Sequence, residues 1–131
     1  MFELHNDLHL RTLTVRVSGL LREDEARSFV ALYQRCTDEH RGARHLVLAD
    51  LRGMAAMSPE AALLLAEAIR YGRGHGVICC VHLSDSSVAR LQARRLAREI
   101  DPNDSVTVNA VSLEEAERVL TEQRAKLKKS S

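Results

Sequence analysis

Two continuous apolar segments constrain the fold of this chain most: HLVLADL at residues 45–51 and VICCVHL at residues 77–83. A strand with apolar residues at successive positions buries both of its faces, which is typical of the interior of a parallel sheet. Parallel neighbours need a crossover connection, which is usually a helix. The intervening segment SPEAALLLAEAIRY begins with a serine N-cap and a proline at the first helical position, and it predicts that helix. We therefore expect an α/β fold.

The first part of the chain extends the alternation of strands and helices. FEL at residues 2–4 and LRTLTVRVSG at residues 10–19 predict two adjoining strands, because apolar and polar residues alternate in the second of them. REDEARSFVALYQRCTDEH at residues 22–40 predicts a helix, and the acids in its first turn suit the positive end of the helix dipole.

The second half of the chain repeats the pattern. SDSSVARLQARRLAREI at residues 84–100 predicts a helix capped by Ser84 or Asp85. SVTVNAV then predicts a short strand, and Ser112 with Glu115 forms the capping box of a last helix. The apolar residues expected to face inward on the first of these helices are Val88, Leu91, Leu96 and Ile100.

The complete element order is β-β-α-β-α-β-α-β-α, which predicts a mostly parallel central sheet flanked by helices. In such sheets a reversal of the strand order brings the loops after the strand ends together, and we expect that reversal here. The length suits one hydrophobic core, so residues 1–127 are expected to form a single domain. Residues 128–131 are expected to form a disordered basic tail.

The balance of charges excludes several classes of partner. The chain has 19 Lys and Arg residues against 18 Asp and Glu residues, a formal net charge of +1, and no Trp. We therefore expect no bulk attraction to nucleic acid and no aromatic platform for bases, and no segment is apolar enough to enter a membrane. Cys36 and the adjacent Cys79 and Cys80 form no even disulfide framework, which favours the reducing cytoplasm.

Patterns typical of catalysis and metal binding are weak. The six histidines lack HExxH or CxxC context, and His5 and His9 lie in a predicted strand and turn, where their spacing does not bring the rings together. No Ser, Cys or Lys has a base and an orienting group beside it. Asp50, at the carboxyl end of a buried strand, is expected to hydrogen-bond the following loop rather than exchange protons. We expect no catalytic residue, no metal and no cofactor.

The stretch HLVLADLRGMAAMSPEAALLLAEAIRYGRGHGVICCVHLSDSSVARLQ carries a resemblance to a known family. Together with the element order and the length, it resembles the STAS domain, the fold of bacterial anti-sigma-factor antagonists and stressosome proteins. The resemblance spans nearly the whole chain and is strongest at Asp50 and Leu51, at Gly53 and at the helix that opens with Ser58. The closing helix, which contains EEAERVL, is also similar to that of SpoIIAA-like and SEC14-like small proteins.

In the switch members of the STAS family, the loop before the second helix reads Asp-Ser-Ser-Gly, and a Ser or Thr there is phosphorylated by a partner kinase. Laying DLRGMAAMSPEA on that pattern places Pro59 on the phosphoacceptor, so the usual acceptor is absent. The other matches are Asp50 on the strand-end aspartate, Ser58 on the loop aspartate, Glu60 on the second serine and Ala61 on the glycine. We interpret Ser58 as an N-cap and keep it as an alternative phosphosite, because a helix N-terminus favours an anion.

The resemblance implies a non-enzymatic regulatory module that binds a protein partner, such as a kinase-like anti-sigma factor or another signalling protein. The contact surface is expected at the loop and at the start of the second helix. The residues assigned to it are Asp50, Met57, Ser58, Pro59 and Glu60.

Two other functions stay open. A SEC14-like domain that binds a small ligand or lipid is the alternative, because small residues leave room beside the sheet; these are Ala55, Ala56, Ala61 and Ala62. An enzyme would require Asp50 in a polar cavity with a displaced pKa. Pairing into a homodimer is also open, since the opening strand can lie at a sheet edge.

A stripe of arginines is the strongest local feature of charge. Arg90, Arg94 and Arg98 recur every four residues on the predicted third helix, with Arg95 at the edge of the stripe. Guanidinium groups match carboxylates and phosphates, which favours a face for an acidic partner or an anion. The alternative is a solvated helix face, because runs of surface charge usually have no other role.

Overall fold

The computed structural model describes residues 1–55, 57–87, 90, 91, 94, 95, 98 and 105–129. The strands within these residues are β1 (Phe2–Asp7), β2 (Thr12–Val17), β3 (His45–Asp50), β4 (Val77–Leu83) and β5 (Thr107–Ala110). The helices are α1 (Glu23–Asp38), α2 (Pro59–Gly74) and α3 (Leu113–Lys129). Between β4 and β5, the helical residues that the structure describes form what we name the arginine segment: Ser87, Arg90, Leu91, Arg94, Arg95 and Arg98. The predicted α/β element order is confirmed. None of the helices within the described residues is long and apolar enough to cross a membrane.

The sheet has the strand order β1-β2-β3-β4-β5, with β1 antiparallel to β2 and every other neighbouring pair parallel. The mostly parallel sheet is therefore confirmed, whereas the predicted reversal of strand order is wrong for the described strands. The second face of the sheet is covered by α3, which follows the last strand, so no reversal is needed to place helices on both faces. The loops after β2, β3 and β4 still lie side by side, because neighbouring parallel strands end at the same edge.

Alternate residues of β3 enter two different cores. Val47 and Ala49 pack with α1 and α2, while Leu46 and Leu48 pack with α3. Six successive positions of this strand are consequently buried, and this explains its continuous apolar run. β3 thus holds both helical layers in register with the loop that follows it.

Three sequence expectations need adjustment. Leu91 was expected to face inward, but its exposed fraction is 62%. A helix turns about 100° per residue, which places Leu91 among the arginines around the helix axis and off the apolar face. Glu115 accepts a hydrogen bond from the amide of Val111, one residue earlier than a capping box requires, while Ser112 caps the Glu115 amide as predicted. Helix α3 continues through Lys128 and Lys129, at the start of the predicted tail.

The remaining expectations of this kind fall outside the described residues. They are the inward orientation of Val88, Leu96 and Ile100 and the disorder of residues 130 and 131.

Helices α1 and α2 approach each other closely at Gly72. A Cβ atom built there would lie 2.5 Å from the Tyr33 hydroxyl oxygen and 3.0 Å from Val77 Cγ2. The Tyr33 ring is buried and packs against the ring of Phe29, with centroids 5.9 Å apart, so it has little freedom to move aside. The glycine is therefore required by the close approach of the two helices.

We predict that Gly72→Ala lowers the free energy of unfolding by about 1–3 kcal/mol, because the added methyl group overpacks this contact. Gly74→Ala is the matched control, since a Cβ atom there meets nothing within 4 Å and the position is helical. The control should be neutral or stabilising by up to about 1 kcal/mol. Urea unfolding measures both variants, and equal stabilities would contradict the packing described here.

Candidate functional site

The candidate site is the β3–α2 loop, residues 51–58, together with the first turn of α2. β2, β3 and β4 are parallel, so the loop leaves the sheet beside the segments that follow β2 and β4. These segments begin at Ser18 and Ser84. Each neighbour supplies backbone groups that can satisfy the polar groups of the loop.

Backbone hydrogen bonds fix the loop on both sides. The amide of Gly19 donates to the Gly53 carbonyl at 2.9 Å, and the amide of Ala55 donates back to the Gly19 carbonyl at 2.9 Å. On the other side, the amide of Leu51 donates to the Leu83 carbonyl at 2.7 Å. The loop therefore continues the sheet pairing beyond the end of β3 instead of projecting freely into solvent.

The first of these contacts depends on two glycines in the left-handed conformation. Gly19 has a φ of 68° and Gly53 a φ of 80°. A side chain is strained at such angles, whereas glycine adopts them at little cost. Both glycines therefore shape the path of the loop.

Asp50 is engaged by Arg52, two residues further along the chain. Its Oδ1 accepts hydrogen bonds from the Arg52 amide at 3.1 Å and from Nε at 3.0 Å, and its Oδ2 accepts from Nη2 at 2.9 Å. The side-chain hydrogen bond from Arg52 holds the pKa of Asp50 below its ordinary value. Asp50 thus hydrogen-bonds the loop, as expected, and stays ionised.

Sequence reasoning did not single out Arg52. The sequence feature that could have identified it is its position two residues after an aspartate at a strand end. At this separation an Asx side chain can hydrogen-bond the backbone. The side chain of Arg52 keeps an exposed fraction of 43%, so its outer surface faces solvent beside the loop. Arg52 therefore belongs to the exposed part of the candidate site.

Ser58 caps α2 as predicted. Its Oγ accepts a hydrogen bond from the amide of Ala61 at 3.1 Å, and its backbone carbonyl accepts from Ala62 at 3.0 Å. Pro59 occupies the first helical position, where its missing N–H leaves no donor unsatisfied. Ser58 is half-buried, while Pro59 and Glu60 are exposed.

Met57, which the sequence assigned to the contact surface together with Pro59 and Glu60, packs inward instead of lying exposed. Met54 and Met57 are half-buried against the core and line an apolar cavity of about 70 Å³ between the sheet, α1 and α2. Pockets for drug-sized ligands measure about 300–1,000 Å³, so a lipid does not fit this space. Among the alanines expected to create room, Ala55 is exposed, Ala61 is buried, and Ala56 lies outside the described residues.

The chain passes beside the loop just before the arginine segment. The amide of Gly53 lies 3.5 Å from Asp85 Oδ1, a long contact that places Asp85, two residues before this segment, beside the loop. Arg90 is half-buried, whereas Arg94 and Arg98 are exposed. The described residues that line a groove of about 400 Å³ are Leu91, Arg94, Arg95 and Arg98.

Two histidines have a structural environment away from the loop. The rings of His40 and His45 stack with centroids 4.0 Å apart. His40 Nε2 lies 2.7 Å from Asn6 Oδ1, and His45 Nδ1 lies 2.8 Å from the Ala43 carbonyl. Burial lowers the pKa of His40 to about 4 and also lowers the pKa of His45, so both rings are neutral near pH 7.

The fold is similar to that of solved structures. The structure of the anti-sigma-factor antagonist SpoIIAA in its unphosphorylated form matches with a TM-score of 0.61 and 17% identity, covering 91% of this chain and 97% of that one. The structure of the Bacillus cell fate determinant SpoIIAA in the phosphorylated form matches with a TM-score of 0.62 and 18% identity, covering 91% and 99%. No protein-family model and no curated protein matches the chain. At this identity the likeness shows the fold alone: the chain folds as these SpoIIAA structures do.

We predict that Ser58→Ala lowers the free energy of unfolding by about 1 kcal/mol, because the Ala61 amide loses its acceptor. Ser58→Asp should keep wild-type stability within about 0.5 kcal/mol, since a carboxylate caps the same amide and suits the helix dipole. Chemical denaturation compares the two variants. Equal stability of Ser58→Ala and the wild type would show that the hydroxyl does not act as a cap.

Proposed function

We propose that this chain, which has the fold of the anti-sigma-factor antagonist SpoIIAA, is a non-enzymatic regulatory module that binds a protein partner. The contact surface is formed by the exposed residues of the β3–α2 loop and the first turn of α2. Its exposed residues are Arg52, Gly53, Ala55, Pro59 and Glu60. Three less exposed residues stabilise this surface. Asp50 pairs with Arg52, Met57 packs against the core, and Ser58 caps α2.

The observation that carries the proposal is the fixation of the loop by Gly19 and Leu83. A loop that already has its bound conformation loses little conformational entropy on association, which favours a contact role. Because Pro59 occupies the position of the usual phosphoacceptor, we propose a constant surface with a permanent negative charge at Glu60 in place of a phosphorylation switch. The partner is then a signalling protein of the kind that anti-sigma-factor antagonists bind, such as a kinase-like anti-sigma factor in the cytoplasm.

The exposed arginines extend this proposal to a second contact. Arg94 and Arg98 offer guanidinium groups along a helix that starts at the same edge of the sheet. Such groups suit an acidic segment of a partner. In this arrangement a partner would meet a negative charge at Glu60 and positive charges along the arginine segment.

The two alternative functions lose support from the geometry. The apolar cavity is several times smaller than a ligand pocket, so a SEC14-like role would require α2 to move away from the sheet. An enzyme built on Asp50 would need a carboxylate available for proton transfer, whereas Arg52 binds both of its oxygens. A homodimer through β1 stays a prediction, and β1 does lie at the edge of the sheet.

We predict that Glu60→Arg weakens capture of the partner from a lysate of the source organism, because it reverses a charge on the contact surface. Glu114→Arg is the matched control, since Glu114 is also an exposed acid in the first turn of a helix. Both variants lose the same favourable interaction with a helix dipole, worth about 0.3–1 kcal/mol.

Quantitative mass spectrometry of the captured proteins provides the measurement. A protein retained by the wild type and by Glu114→Arg, but reduced at least about tenfold with Glu60→Arg, supports the surface, since a tenfold change corresponds to about 1.4 kcal/mol of binding energy. An identical profile for all three chains would contradict it.

A further inference from the structure

We propose that the cavity between the β1–β2 turn and the C-terminal end of α3 binds a phosphomonoester. Its volume is about 280 Å³, close to the lower limit of about 300 Å³ for small-molecule pockets. Among the described residues, the cavity is lined by His9, Leu10, Arg11, Arg124, Leu127 and Lys128. The turn precedes β2 and the β3–α2 loop follows the parallel strand β3, so the cavity and the contact surface lie at opposite ends of the sheet. The two proposals are therefore independent.

The lining of this cavity is basic. Arg11, Arg124 and Lys128 bring three basic side chains to the cavity, His9 adds a ring nitrogen, and none of the described residues that line it is an acid. Arginine groups bind phosphate through two parallel N–H···O bonds, and lysine adds a point charge. A compact dianion is the ligand that this set of donors fits.

Backbone hydrogen bonds fix the position of Arg11 at the cavity. Arg11 has a φ of 51°, in the left-handed region that favours glycine or asparagine. Its amide donates to the Leu8 carbonyl at 3.3 Å, and its carbonyl accepts from the Leu46 amide at 2.8 Å. These bonds hold Arg11 between the turn and β3.

The dipole of α3 explains only part of the cluster. Cations near a helix C-terminus interact favourably with its partial negative charge, which accounts for Lys128. Arg11 and His9 belong to the turn, so the dipole gives no reason for their presence. Arg124 Nε donates to Thr12 Oγ1 at 3.2 Å, and this bond orients the guanidinium beside the turn.

Apolar side chains favour an organic phosphate over the inorganic ion. Leu127 is buried and Leu10 has an exposed fraction of 44%, so the cavity has an apolar inner side and an apolar rim. Inorganic phosphate leaves these surfaces uncovered. A phosphomonoester with an apolar group covers them while its phosphate meets the basic side chains.

The test compares two arginines that share a backbone conformation. Arg11→Gly removes a cavity side chain and relieves the left-handed strain, so the variant is expected to fold at least as well as the wild type. Arg41→Gly is the matched control, because Arg41 has a φ of 54° and does not line the cavity. Both substitutions remove one positive charge.

The midpoint of thermal unfolding is measured with phenyl phosphate, with inorganic phosphate, and with sodium chloride at the same ionic strength. Phenyl phosphate in excess should raise the midpoint of the wild type and of Arg41→Gly by about 3 °C or more over chloride, and the increase should disappear in Arg11→Gly. Inorganic phosphate at the same concentration should give a smaller increase.

Three results would overturn the proposal. One is the absence of an increase over chloride in the wild type, and another is an equal increase in both glycine variants. The third is an equal effect of phenyl phosphate and inorganic phosphate, which would remove the role of the apolar walls. A vesicle experiment distinguishes the two sources of the phosphomonoester. Sedimentation of the wild type, but not of Arg11→Gly, with vesicles that contain phosphatidic acid would show that the ligand is a lipid headgroup and not a soluble molecule.

Discussion

Strand β3 must be covered on both faces, because its successive side chains point alternately into two cores. α1 and α2 cover one face and α3 covers the other, which sets the layers of the domain. The same strand ends at Asp50, so its position between β2 and β4 also determines which backbone groups surround the following loop. The candidate site is thus a direct consequence of how one apolar strand is buried.

The loop after β3 combines a rigid base with an exposed outer surface. Gly19 and Leu83 hold its backbone from two sides, and Arg52 forms an ion pair with the Asp50 carboxylate at its start. Ser58 closes the loop by capping α2. The polar groups at its base are engaged within the protein, which leaves the outward side chains as the part available to a partner.

The sequence predicted those features that depend on local chemistry. The cap at Ser58 follows from a serine before a proline, and the burial of β3 follows from its continuous apolar run. The prediction that Leu91 faces inward is wrong. It followed from the apolar side chain alone, whereas the helical spacing places Leu91 on the same side of the helix as the arginines. The strand order was misjudged because a terminal helix can cover the second face of a sheet, and no local pattern distinguishes this from a reversal. The bonds between Gly19 and the loop, and the cavity at Arg11, join residues distant in sequence, so periodicity could not identify them.

Native-state hydrogen exchange of the Gly19 and Ala55 amides tests the central claim, a loop fixed to the sheet, most directly. Exchange by NMR reports the opening of these bonds individually. If the loop is fixed, both amides exchange as slowly as the amide of Leu51, which donates to the end of β4. Exchange of the Ala55 amide at the rate of an unprotected peptide, with Leu51 still protected, would contradict the account and show that the loop moves independently of the sheet.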